Sequence, residues 1–157
     1  MTIHYGIIGC GMMGQEHLRN IALLEDVATK VIYEPDPEMA ARALQLAPQA
    51  VLADNIDRLL AHDQLDCLLI ASPNFCHVDQ LEAIAASVTL PILVEKPLFT
   101  KPEDWSRLES FKRRYKAPVW VAMEYRYMPP MQQFLARADD ATGGVKMLTI
   151  VEHRYPF

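Results

Sequence analysis

Gly9-Cys10-Gly11-Met12-Met13-Gly14 has the residue types and spacing of a turn that cradles a phosphate. It follows the apolar run Tyr5-Gly6-Ile7-Ile8 and leads into a helical pattern. In such a unit Gly9 permits the tight turn out of a strand, Gly11 lets a pyrophosphate approach the backbone, and Gly14 lets the new helix pack close to the sheet. The first turn of that helix, from Met12 and Met13, offers N–H groups and a positive dipole end to the phosphates. A bare Gly-x-Gly-x-x-Gly is common, so its surroundings carry the inference. Glu34 closes a second strand pattern, Ala28-Thr29-Lys30-Val31-Ile32-Tyr33, twenty residues beyond Gly14. A carboxylate at that distance accepts hydrogen bonds from adenosine ribose hydroxyls and repels a 2′-phosphate, which favours NAD while leaving NADP open. The alternative for Glu34 is a solvated strand end.

Three further clusters follow apolar strand patterns, where doubly wound sheets bind their ligands. The first is Ser72-Pro73-Asn74-Phe75-Cys76-His77. Ser72 and Asn74 offer short polar groups for ribose or phosphate oxygens, and His77 faces the same crevice or only orients the loop. Ordinary turn chemistry explains Ser, Pro and Asn equally well. The second is Glu95-Lys96-Pro97. Pro97 restricts the backbone of Lys96, and a lysine there can hydrogen-bond a hydroxyl or carbonyl and help move its proton. A surface ion pair of little worth is the competing account. The third is Glu124-Tyr125-Arg126-Tyr127, in which Arg126 binds an anionic or polyhydroxy ligand or braces a domain junction.

Positioning these clusters takes an alternation of strands and helices. The pattern predicts strands at 3–8, 28–33, 50–53, 67–71, 91–94 and 119–123. Helix one is expected over 12–24 with Met13, Leu18, Ile21 and Ala22 inward. Asp36-Pro37 suits a cap and first helical position for helix two, which runs to about residue 46. Asp54 or Asn55 caps a short helix with Ile56, Leu59 and Leu60, and Val78, Leu81, Ile84 and Ala85 mark a fourth. Thr100-Lys101-Pro102-Glu103 has capping-box spacing before an inner stripe of Trp105, Leu108, Phe111 and Tyr115. This βαβ rhythm is that of an α/β doubly wound parallel sheet. Past residue 123 a helix over 131–138, a turn-rich break at 139–144 and one long strand at 145–153 are expected.

The 51% apolar and 22% charged composition is that of a globular chain rather than a disordered one. Its net charge of −5, with no basic run beyond Lys112-Arg113-Arg114, argues against nucleic acid as a partner. Cys10, Cys67 and Cys76 lack metal spacing and suit a reducing cytoplasm. No apolar stretch has the ~20 residues that span a membrane.

Together, Gly9, Gly11 and Gly14, Glu34-Pro35-Asp36-Pro37, Ser72-Pro73-Asn74 with His77, Glu95-Lys96-Pro97 and Arg126 stand in the order and spacing of the Gfo/Idh/MocA oxidoreductases. The whole chain resembles that family. The resemblance implies a Rossmann domain at 1–123 and NAD(P)-dependent hydride transfer to or from a sugar, cyclitol or related polyol. It implies that Lys96 is the catalytic lysine. It also implies that Gly9, Cys10, Gly11, Met12, Met13, Gly14, Glu34, Ser72, Pro73, Asn74, His77, Glu95, Lys96 and Arg126 bind the cofactor. Family members carry a second α+β domain that supplies an Asp and a His for proton transfer. Here 124–157 resembles only the linker helix and first strand of that domain, as in a truncated chain. The expectation is a nucleotide-binding portion with little activity of its own and a C-terminal strand that pairs with another copy. A non-catalytic dinucleotide-binding or regulatory module of the same family is the alternative.

Overall fold

The structure, a computed structural model, describes residues 2–142. Six parallel strands form one sheet: β1 (Ile3–Ile8), β2 (Val27–Tyr33), β3 (Val51–Leu52), β4 (Cys67–Ile70), β5 (Ile92–Val94) and β6 (Val119–Val121). Their order is β3-β2-β1-β4-β5-β6. The order reverses between β1 and β4, which opens a crevice at the carboxyl ends of those two strands.

The strands are apolar on both faces because helices cover both. Ile7 and Leu69 point to one layer, where Leu18 and Ile21 of α1 (Met12–Ile21) and Ala43 of α2 (Pro37–Leu46) pack. Ile8, Leu68 and Ile70 point to the other layer. There they meet Leu59 and Leu60 of α3 (Ile56–Leu60), Val78, Leu81 and Ile84 of α4 (His77–Ser87), and Leu108 and Phe111 of α5 (Asp104–Arg114). Parallel strands sandwiched in this way read as continuous apolar runs. Asp36 caps α2 by accepting from the Glu38 and Met39 amides, with Pro37 as first helical residue. Asn55, rather than Asp54, caps α3 by accepting from the Arg58 amide at 2.9 Å.

Four local expectations are corrected. Helix α1 stops at Ile21, and Met13 and Ala22 are exposed, so its inner face is Gly14, Leu18 and Ile21. Thr100 does not cap α5: turns at Lys101–Asp104 and Pro102–Trp105 intervene and the helix opens at Asp104. Trp105 is 57% exposed instead of buried; its ring leans on Phe99, with centroids 5.9 Å apart. Beyond Ala122 a second unit begins, containing a short turn at Glu124–Tyr127 and α6 (Pro129–Thr142). This helix runs through 139–142, where Asp139 and Asp140 suggest a break. The cost of aspartate inside a helix, under about 1 kcal/mol, does not stop it. The strand expected at 145–153, and association through it, lie outside the described residues.

Helices α4 and α5 are joined at the surface by Arg107, whose guanidinium donates to Glu82, Asp79 and Asp104 at 2.6 to 2.8 Å. Three carboxylates hold its pKa above the ordinary arginine value. Among the described residues no helix is long and apolar enough to cross a membrane.

Candidate functional site

Each glycine of the 9–14 loop has a different physical reason. Gly9 has φ +90°, a backbone that L side chains rarely adopt. A Cβ there would lie 2.4 Å from the Ser72 amide nitrogen. A Cβ on Gly14 would lie 2.2 Å from the Gly9 carbonyl oxygen. Both glycines are therefore required by the protein itself. Gly11 is different: a Cβ on it would meet nothing nearer than Met39 Sδ at 4.0 Å. Its φ of −62° suits any residue. Among the described residues no packing contact requires glycine at 11, whereas a ligand lying against the backbone would.

That open space adjoins the start of α1. No side chain caps this helix and its first turn carries no acid. Its first-turn N–H groups therefore have the free hydrogens and positive potential that attract a phosphate. Met12 is exposed and Cys10 is fully buried beneath the loop.

Glu34, at the end of β2, ties the loop from the other side. One carboxylate oxygen accepts from the Cys10 amide at 2.5 Å and the other from the Asp36 amide at 2.9 Å. Burial first, and then the nearby Glu34 charge, push the Cys10 thiol up to about 12. The folded chain keeps this thiol protonated after an unfolded one has ionised. Stability is then complete below about pH 9 and falls as pH rises toward 12. Cys67, pushed up to about 11 chiefly by burial, adds to the lower part of this slope. Urea unfolding across pH 8 to 11 should show that decline, and Cys10→Ala should flatten it; an unchanged slope in the variant would reject the assignment.

The β4–α4 loop and the Glu95-Lys96-Pro97 segment complete the crevice. Ser72 donates its hydroxyl to Gln80 Oε1 at 2.6 Å, so α4 fixes its rotamer. Pro73 and Asn74 are exposed, and Asn74 opens a one-turn helix, Asn74–Cys76. His77 is wholly buried, with Nδ1 2.9 Å from the Pro97 carbonyl oxygen and Nε2 3.0 Å from that of Ser72. A neutral ring donates to one of these two carbonyls and packs against the other, so His77 lies between two loops rather than facing the crevice. Glu95 is 6% exposed and accepts from His17 Nε2 at 2.8 Å. Lys96 is exposed, and the Lys96–Pro97 peptide is cis.

The structure thus brings residues 9–14, Glu34, Ser72, His77 and the 95–97 segment to one end of one sheet. Arg126 belongs to the second unit, where its amide donates to the Met123 carbonyl at 3.1 Å and its carbonyl accepts from the Gln132 side chain. Two residues escape the sequence reading. His17 is a single histidine on a helix, and Gln80 a polar residue at an inward position of α4. The available signal was an acid directly ending an apolar strand, as Glu95 does, since such a group needs a partner if it is buried.

Residues 3–123 match the oxidoreductase family described by its NAD-binding Rossmann fold. This chain belongs to the Gfo/Idh/MocA oxidoreductase family. Its described sheet is that family's NAD-binding domain. Rhizopine catabolism protein MocA of Rhizobium meliloti is 32% identical over 141 residues, covering 89% of this chain and 42% of that protein. Inositol 2-dehydrogenase of Corynebacterium glutamicum (strain R) is 30% identical over 157 residues, covering 99% of this chain and 46% of that enzyme. Among solved structures, myo-inositol dehydrogenase from Lactobacillus casei, in complex with NAD(H) and myo-inositol, superposes with a TM-score of 0.82. That match is 23% identical and covers 92% of this chain and 43% of the enzyme, so it speaks to the fold. This Gfo/Idh/MocA chain spans less than half the length of the relatives it matches.

Proposed function

We propose that this chain is the cofactor-binding part of an NAD-dependent dehydrogenase acting on a cyclitol, sugar or related polyol. The observation that carries the cofactor half is the open space at Gly11, set against the uncapped start of α1. Gly9, Gly11 and Gly14 would seat the pyrophosphate, and Glu34 would meet the adenosine ribose hydroxyls. When bound, the nicotinamide supplies the hydride acceptor or donor. Lys96, exposed at the crevice beside the 9–14 loop's own sheet end, would hydrogen-bond the substrate oxygen and hold or release its proton. The polyol class is supported by the inositol 2-dehydrogenase and MocA relatives. Those relatives are more than twice as long as the aligned segment, so hydride transfer by these 157 residues alone should be slow or absent.

Calorimetry with NADH tests the first half: binding is expected, and no heat and no thermal shift at millimolar NADH would reject it. A dehydrogenase assay with NAD and myo-inositol tests the second, and robust turnover by the 157-residue chain would overturn the view that it is a cofactor half. Were a complementing domain to restore turnover, a fully active Lys96→Ala complex would remove Lys96 from the chemistry.

Glu34 also makes a selectivity prediction. Its charge beside a 2′-phosphate should leave NADPH at least about tenfold weaker than NADH, roughly the effect of one like-charge contact near a surface. Glu34→Ala should narrow that ratio. It should weaken both cofactors too, since the Cys10 amide loses its acceptor. Equal affinities for NADH and NADPH in the unsubstituted chain would contradict the assignment.

A further inference from the structure

His17 and His77 approach the Glu95-Lys96-Pro97 segment from opposite sides of the sheet. His17 is on α1, whose Leu18 and Ile21 pack in the layer under Ile7 and Leu69. His77 opens α4, whose Val78 and Leu81 pack in the layer under Ile8 and Ile70. Yet the two rings bracket one tripeptide. His17 Nε2 lies 2.8 Å from Glu95 Oε1, while Glu95 Oε2 accepts from the Lys96 amide at 3.2 Å. On the far side, His77 Nδ1 lies 2.9 Å from the Pro97 carbonyl oxygen. The residue between, Lys96, is exposed, and among the described residues none hydrogen-bonds or pairs with its ammonium.

The physical problem is how to aim a flexible lysine from a loop. Four rotatable bonds leave the ammonium free to wander, so its starting point has to be rigid. Glu95 could provide that rigidity only if its own carboxylate stays in place. A carboxylate buried to 6% exposure needs a partner, because an unpaired one turns toward water or takes up a proton. His17 is that partner. It comes from the same helix whose N-terminus adjoins the Gly11 space, so one helix sets both the phosphate end of the crevice and the lysine.

We propose that His17 is a positioning residue for Lys96, acting through the Glu95 carboxylate. The inference rests on the reading that Lys96 works in the crevice, but its test runs without cofactor.

The experiment is NMR on the whole chain, following the Lys96 amide and its 13C-labelled ε-carbon, assigned with Lys96→Arg. His17→Leu removes the donor, His17→Gln keeps one, and Glu95→Gln removes the charge it serves. His17→Leu is expected to move both Lys96 signals and to speed exchange of the Lys96 amide at least about tenfold, while Leu69 and Ile70 amides stay protected. His17→Gln should restore most of the protection. In the Glu95→Gln background, His17→Leu should add little further change, because residues acting in series are not additive. Lys96 signals unchanged in His17→Leu, a His17→Gln variant as perturbed as His17→Leu, or fully additive effects with Glu95→Gln would each overturn the proposal. Wild-type protein that fails to bind NADH would sink the cofactor reading instead, and would leave these signals to decide the role of His17.

Discussion

Gly11→Val should weaken NADH binding at least about a hundredfold, a loss of about 2.7 kcal/mol, with little change in stability. The fold has room for a side chain at 11. The backbone there has φ −62°, and the nearest atom to an added Cβ is Met39 Sδ at 4.0 Å, an ordinary contact. A valine would instead fill the space beside the first turn of α1, where a pyrophosphate has to come close to backbone N–H groups. Gly11 is the N-cap of α1, where valine is less favourable than glycine, so the unfolding midpoint should fall by only about 2–5 °C. Titration with both NADH and ADP-ribose is the check, since each carries the pyrophosphate. An unaltered affinity for either would show that the diphosphate does not lie against Gly11.

Gly9→Ala should do the reverse and damage the fold before it damages binding. Its φ of +90° is costly for alanine, and the new methyl would press on backbone atoms of the β4 end. The Ser72 nitrogen would be 2.4 Å away, the Ser72 Cα 2.5 Å and the Ala71 carbonyl carbon 2.8 Å. Those atoms cannot rotate aside as a side-chain tip could. Ala71 and Glu95 donate their amides to Ile8 and Ile70 in the sheet, so a shift would strip ladder bonds. Backbone strain plus overpacking of this kind costs about 3–5 kcal/mol. Domains have only about 5–15 kcal/mol in hand, and the melting midpoint should fall by about 15 °C. Circular dichroism melts decide it: a fall under about 3 °C would mean that the loop can relax.

The contrast between these glycines marks what was legible in the sequence. The motif announces a turn, a helix and a ligand together, but not which glycine serves which purpose. That division depends on Ser72, which is distant in sequence and adjacent in space. The sheet itself was readable because strands covered on both faces cannot hide their composition: Ile7 and Ile8, or Leu68, Leu69 and Ile70, are apolar whichever way they point. The helix stripe of Leu108 and Phe111 was readable instead from its three-residue spacing on one face. Trp105 shares their spacing but lies in the first turn of α5, beside a sheet that ends at the short edge strand β6, and its ring leans on Phe99 while staying mostly exposed. Periodicity gives direction around a helix and says nothing about where the surface beneath it ends. The Thr100-to-Glu103 spacing misled because Pro102 and the turns around it delay the helix to Asp104. His17 left no local trace, since its partner stands 78 residues away and only the folded sheet brings them within 2.8 Å.

Glu34 carries a consequence for the timing of recognition. Both its oxygens accept from backbone amides of the chain itself, those of Cys10 and Asp36. The rotamer freedom of a glutamate, up to about 2 kcal/mol for such a long side chain, is therefore surrendered when the sheet folds and not when a ribose arrives. Each oxygen still has a lone pair to offer, so a diol can add to the arrangement without dismantling it. On the proposed reading of Glu34, discrimination between the two cofactors would then be set as the chain folds. It should persist unchanged in any fragment that keeps β1 and β2 side by side.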